Sequence, residues 1–106
     1  MEVICLCAQW CGTCRDWQPV MDETARAHPQ LRWRWLDIED EADLLGDLDV
    51  ETLPTLLVGR GEQVLFYGPV LPKVELLNRL IETLATQERA AVVDDEVAAL
   101  WKRMRS

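Results

Sequence analysis

All four cysteines of this chain stand within its first fourteen residues, at positions 5, 7, 11 and 14. The run Glu2–Ala8 (EVICLCA) is apolar and rich in β-formers, and its cysteines count as small hydrophobes, so it reads as a buried strand. From Cys11 to about His28 a helix is predicted. Cys14, Trp17, Met21, Thr24, Ala25 and His28 recur there at three- and four-residue steps. The C-x-x-C of "WCGTC" therefore sits where a buried strand hands over to a helix. A cysteine at a helix N-terminus has its thiolate stabilised by unpaired N–H groups and the macrodipole. A second cysteine one turn later lies close enough to attack a mixed disulfide. On that reasoning Cys11 is the candidate nucleophile and Cys14 the resolving thiol, although zinc knuckles share the C-x-x-C spacing.

The rest of the chain supplies the frame. Pro19 lies inside the helical pattern and should kink it. Leu31–Ile38 alternates Leu31, Trp33 and Trp35 with Arg32 and Arg34, which is strand periodicity. Residues 39–48 read as a short acidic helix weakened by Gly46, 52–58 as an apolar strand, 59–62 as a turn, and 63–67 as the return strand of a hairpin. Pro72 suits the first turn of a helix striped by Val74, Leu77, Leu80, Ile81 and Leu84. A last helix follows. Asp94 is its expected N-cap, with Asp95 and Glu96 in the first turn and Lys102, Arg103 and Arg105 in the last. The order β-α-β-α-β-β-α-α indicates an α/β fold, a mixed sheet covered by helices.

With 106 residues, one domain is expected. The net charge of −8 argues against nucleic acid and anionic membrane surfaces as partners. There is no apolar run long enough to span a bilayer. The opening MEVICLCAQW has no basic segment ahead of its apolar run and no small-residue cleavage site, so the expected compartment is the reducing cytoplasm. Clustered cysteines there mean redox chemistry or metal more often than scaffolding.

The segment CAQWCGTCRDWQPVMDETA resembles the active-site strand and helix of thioredoxins. Trp10 before the motif matches, as does Pro19, eight residues after the first cysteine. ETLPTLLV resembles the family's cis-proline loop, with Pro54 the cis-proline and Leu53 before it. Gly61 fits the hairpin glycine and Gly68 the glycine after the last strand. The resemblance covers about residues 2–88. It implies a minimal thioredoxin fold, about four strands flanked by helices, with residues 1–88 as the domain and 89–106 as a helical extension. It also implies thiol–disulfide exchange on protein disulfides, with electrons from a separate reductase and no tightly bound cofactor or metal. Trp10, Gly12, Thr13, Leu53, Pro54 and Gly68 would hold the substrate.

Three departures qualify that implication. The active-site strand begins almost at residue 2, where thioredoxins place a strand and a helix ahead of it. Where the family carries a buried aspartate and its lysine partner, this chain has Cys5 and Trp35. Replacing both together is coherent, since either charge alone is costly to bury. Thr13 stands where thioredoxins have proline, which should leave the disulfide easier to reduce.

Cys5 and Cys7 share one strand face and read as buried apolar thiols. The sharper options are exchange of one of them with Cys14, or a four-cysteine metal or iron–sulfur site. His28 reads as a satisfied helix-end residue, Trp33 and Trp35 as packing, and 39–43 as a solvated face. A binding or assembly module with little turnover is the rival function. The stripe of Val93, Val97, Leu100, Trp101 and Met104 is expected to cover a sheet face left short of cover. It would do so in its own chain as a monomer, or in a second copy as a homodimer.

Overall fold

The computed structural model describes residues 1–8, 12–46, 48, 50 and 53–105, the side chains of Thr13 and Arg105 excepted. Four strands, β1 (Glu2–Cys7), β2 (Arg32–Asp37), β3 (Thr55–Arg60) and β4 (Gln63–Pro69), form one sheet in the order β2-β1-β3-β4. The β1–β2 pair is parallel, and the β1–β3 and β3–β4 pairs are antiparallel. The described residues also form four helices: α1 (Gly12–Ala27), α2 (Ala42–Leu45), α3 (Val74–Ala85) and α4 (Asp95–Arg105).

Strand alternation splits the core into two layers. On one face Val3, Cys5 and Cys7 of β1 meet Leu56 and Val58 of β3, and α1 and α3 cover them with Cys14, Trp17, Leu77 and Ile81. On the other face Ile4, Leu6 and Leu57 meet Val97, Leu100, Trp101 and Met104 of α4. The apolar stripe of α4 thus lies on the sheet of its own chain. Asp94 stands at the N-cap position, its carbonyl accepting from the Val97 and Ala98 N–H groups. Trp101 is 3% exposed and donates from Nε1 to the Gly61 carbonyl at 3.1 Å. A Cβ at Gly59 would come within 2.4 Å of the Trp101 ring, so this residue must be glycine for the indole to lie on β3. Arg103 extends the same contact. It donates to the carbonyls of Leu44 (2.7 Å) and Leu45 (3.0 Å) at the C-terminal end of α2.

Several boundaries differ from the sequence-based expectation. The acidic helix is shorter, because the Asp37 carboxylate accepts from the Glu39 and Asp40 N–H groups and holds a turn ahead of it. Gly46, at φ 62°, ends it. Residues 59 and 60 belong to β3, so the hairpin turn is Gly61–Glu62. Pro72 precedes α3, which begins at Val74. β2 is a sheet edge. Arg32 and Arg34 are exposed there, and Arg34 stands 4.0 Å from Glu2. His28 caps the end of α1 and hydrogen-bonds through Nε2 to Asn78 Oδ1 at 3.0 Å.

Candidate redox site

Register brings the candidate residues to one end of the sheet. Leu6 lies opposite Thr55, and Thr55 opposite Pro69. The last residue of β1 (Cys7), the segment entering β3 (Leu53–Pro54) and the end of β4 (Gly68) therefore gather there. The Leu53–Pro54 peptide bond is cis. Pro54 is buried, Leu53 and Gly68 are half-buried, and Leu53 packs against the layer that holds Cys14. Gly12, the first residue of α1, is exposed, with open space around it. Val70 and Leu71 follow β4, and Leu71 is largely exposed. Trp10 and Cys11 lie outside the described residues.

Cys14 stands in the first turn of α1, buried, with its sulfur bonded to Cys7 at the end of β1 (S–S 2.05 Å, Cα–Cα 5.9 Å). The leading expectation for Cys7 is a buried apolar thiol, with exchange with Cys14 as the redox alternative. Cys7 is buried, but as half of a disulfide. A sulfur joined to Cys7 is not at the same time joined to Cys11, so the disulfide seen here is not the one within the C-x-x-C. The sequence did hold a signal for it in Cys7 itself, a thiol on the strand end over which the helix begins. Cys5, two residues back on the same face, is a free thiol with no exposed surface. Burial pushes that thiol up to about 12. The Trp17 indole N–H is near enough to pull part of the way back. It does not reach hydrogen-bond geometry and is left without a partner. Cys5 and Trp35 face each other across the β1–β2 ladder, so the two substitutions inferred from the family pattern are paired in space.

Beside the disulfide is a cleft of about 390 Å³, lined by Ala8, Cys14, Arg15, Gln18, Met21, Asp22 and Trp35. It brings polar groups and solvent up to the layer containing Cys14. Among the described residues no three His, Cys, Asp or Glu side chains gather as a metal-ligand set. Also among them, no helix is long and apolar enough to cross a membrane.

Comparison with known proteins fits this geometry. Residues 1–82 match the family model for thioredoxin. Mitochondrial thioredoxin-3 of Saccharomyces cerevisiae is 30% identical over 63 residues, 59% of this chain and 50% of that protein. An H-type thioredoxin of Brassica campestris is 32% identical over 80 residues, 76% of this chain and 65% of that one. Among solved structures, the oxidised form of the same yeast thioredoxin superimposes with a TM-score of 0.67 at 26% identity, covering 77% of this chain and 76% of the other. The chain spans about half the length of the first curated relatives it matches. A mixed four-stranded sheet, a cysteine-bearing helix start beside a cis-proline, and a family match over most of the sequence place this chain in the thioredoxin family.

Proposed function

We propose that the chain is a thiol–disulfide oxidoreductase acting on protein disulfides through Cys11 and Cys14. The observation that carries this reading is Cys14. It stands in the first turn of a helix, closed in a disulfide, at the sheet end that also carries the cis Leu53–Pro54 bond. The Cys11 thiolate attacks one sulfur of a substrate disulfide. A Cys11–substrate bond forms and one substrate thiolate leaves. The Cys14 thiolate then attacks Cys11, forming the Cys11–Cys14 disulfide and releasing the second substrate thiolate. The substrate gains two electrons and the chain loses two, which a separate reductase restores. With Cys5 and Trp35 in place of a charged pair, the proton leaving Cys14 passes to water, and the neighbouring cleft brings solvent close.

Trp10, Gly12, Thr13, Leu53, Pro54 and Gly68 form the docking surface in this reading, the Leu53–Pro54 backbone pairing with an extended substrate. Residues 1–88 are the catalytic body and 89–106 an extension packed on it. The engagement of α4 with its own sheet supports a monomer. The cytoplasm, with its reductases, is the compartment that suits the cycle. Insulin reduction with dithiothreitol as donor tests the reading. The chain should accelerate it, and Cys11→Ser should abolish the acceleration. A wild-type chain that binds insulin without turnover would favour the assembly-module reading.

A further inference from the structure

The exchange cycle gives Cys7 no role, yet Cys7 is the residue that holds Cys14. We propose that Cys14 alternates between two partners, Cys11 and Cys7, and that the Cys7–Cys14 disulfide is a closed form in which the resolving thiol is withdrawn. The proposal rests on the reading of Cys11 and Cys14 as the exchanging pair.

Three observations carry it. The last residue of β1 and the first turn of α1 are joined by a sulfur–sulfur bond. That position places the Cys7 sulfur at Cys14, where it competes for the atom that Cys11 must share. Both partners are buried, Cys7 at 0% and Cys14 at 1% exposure, so an outside thiol reaches the bond poorly and a neighbouring thiol of the same chain is the effective attacker. Cys5 lies on the same face but two residues farther back along β1, and it stays a free thiol while the strand-end Cys7 is the one bonded to Cys14.

The step balances without an outside oxidant. Starting from the Cys11–Cys14 disulfide, the Cys7 thiolate attacks the Cys14 sulfur. The Cys7–Cys14 bond forms, the Cys11–Cys14 bond breaks, and Cys11 leaves as the thiolate. The proton lost by Cys7 is taken up by Cys11 or by solvent, and the count of electrons is unchanged. Attack by Cys11 on Cys14 reverses it. While Cys14 is held by Cys7, Cys11 can join a substrate but has no thiol to release it. The chain is thereby converted from two-thiol turnover to one-thiol capture.

The sequence makes the two isomers separable. Chymotrypsin cuts after Leu6, Trp10 and Trp17, which puts Cys7 on one peptide (CAQW) and Cys11 with Cys14 on another (CGTCRDW). Reduced wild-type chain is oxidised with oxidised glutathione, sampled over time, alkylated with N-ethylmaleimide, digested and weighed. The Cys11–Cys14 form, with CAQW alkylated, should appear first. It should then give way to CAQW disulfide-linked to CGTCRDW with Cys11 alkylated, at a constant number of free thiols. CAQW alkylated in every oxidised sample would overturn the proposal. So would a linked peptide with no Cys11–Cys14 form at any time. Cys7→Ala should hold the oxidised chain in the Cys11–Cys14 form and raise the rate of insulin reduction. If that variant does not fold, the wild-type peptides still decide. An absence of insulin reduction with both isomers present would defeat the exchange reading and leave the alternation standing. Insulin reduction with Cys7 always alkylated would do the reverse.

Discussion

Cys5→Asp restores the residue type that thioredoxins bury at this position, without the lysine that accompanies it there. The Cys5 side chain has no exposed surface, and its strand neighbour is Trp35, which offers no cation. Burial, only partly offset by the nearby Trp17 indole, carries the native thiol from its ordinary 9.0 up to about 12. A carboxyl lifted by the same desolvation from its unfolded value of about 3.9 would titrate near ~7 in the folded chain, a displacement worth ~4 kcal/mol. The folded state then holds its proton more tightly than the unfolded state, so stability falls as pH rises. The loss begins near pH ~4, where the unfolded carboxyl ionises, and is complete above pH ~7. Below that window there remains only the cost of burying a neutral carboxyl with few partners, about 1–3 kcal/mol. The native thiol is protonated throughout the window, so the difference between variant and wild type isolates the new carboxyl. Urea midpoints of both proteins, at about pH 4.5 and about pH 8, measure the difference. The gap between variant and wild type should widen by several kcal/mol at the higher pH. A gap that is constant or narrows would show that Cys5 does not sit in the dry layer described, or that a cation reaches it.

The other expectations concern the far face. Gly59→Ala drives a methyl into the Trp101 ring and should cost about 1–3 kcal/mol, while Trp101→Ala should cost about 3–5 kcal/mol. The double variant should be more stable than the sum of the two predicts, because the clash disappears with the ring. Strict additivity of the denaturation free energies would mean the two are not in contact. Truncation after Ala90 uncovers the layer filled by Val97, Leu100, Trp101 and Met104, a gross loss of roughly 6–12 kcal/mol at ~1.5–3 per side chain. That rivals the whole stability of a small domain, about 5–15 kcal/mol. The truncated chain should therefore lose its cooperative melt or self-associate, and an unchanged Tm with unchanged size by light scattering would refute the packing of α4.

Much of this architecture is legible in the sequence, because periodicity reports which face of an element is buried. The two-residue alternation of Leu31–Ile38 and the spacing of Val97, Leu100, Trp101 and Met104 each identify the face that the structure buries or half-buries. The cis-proline and the helix-start cysteine come from a motif whose spacing is specific. What periodicity does not carry is side-chain reach across elements. Gly59 reads as turn chemistry in sequence and is a strand residue cleared for an indole more than forty positions away. Asp37 reads as a strand end and sets the length of the following helix through its carboxylate. The pairing of Cys7 with Cys14 depends on where the first turn of α1 falls over the end of β1. Three other cysteines within nine residues of Cys14 in sequence leave that choice open until the backbone is placed.

In the proposed cycle Cys11 attacks and Cys14 resolves. Cys14→Ser leaves the attack intact and removes both the resolving step and the partner of Cys7. Mixed with a defined disulfide peptide, this variant should accumulate a stable mixed disulfide, and mass spectrometry of the chymotryptic fragments should place the adduct on Cys11, with Cys7 alkylated. No adduct, or an adduct on Cys7 with Cys11 free, would contradict the account.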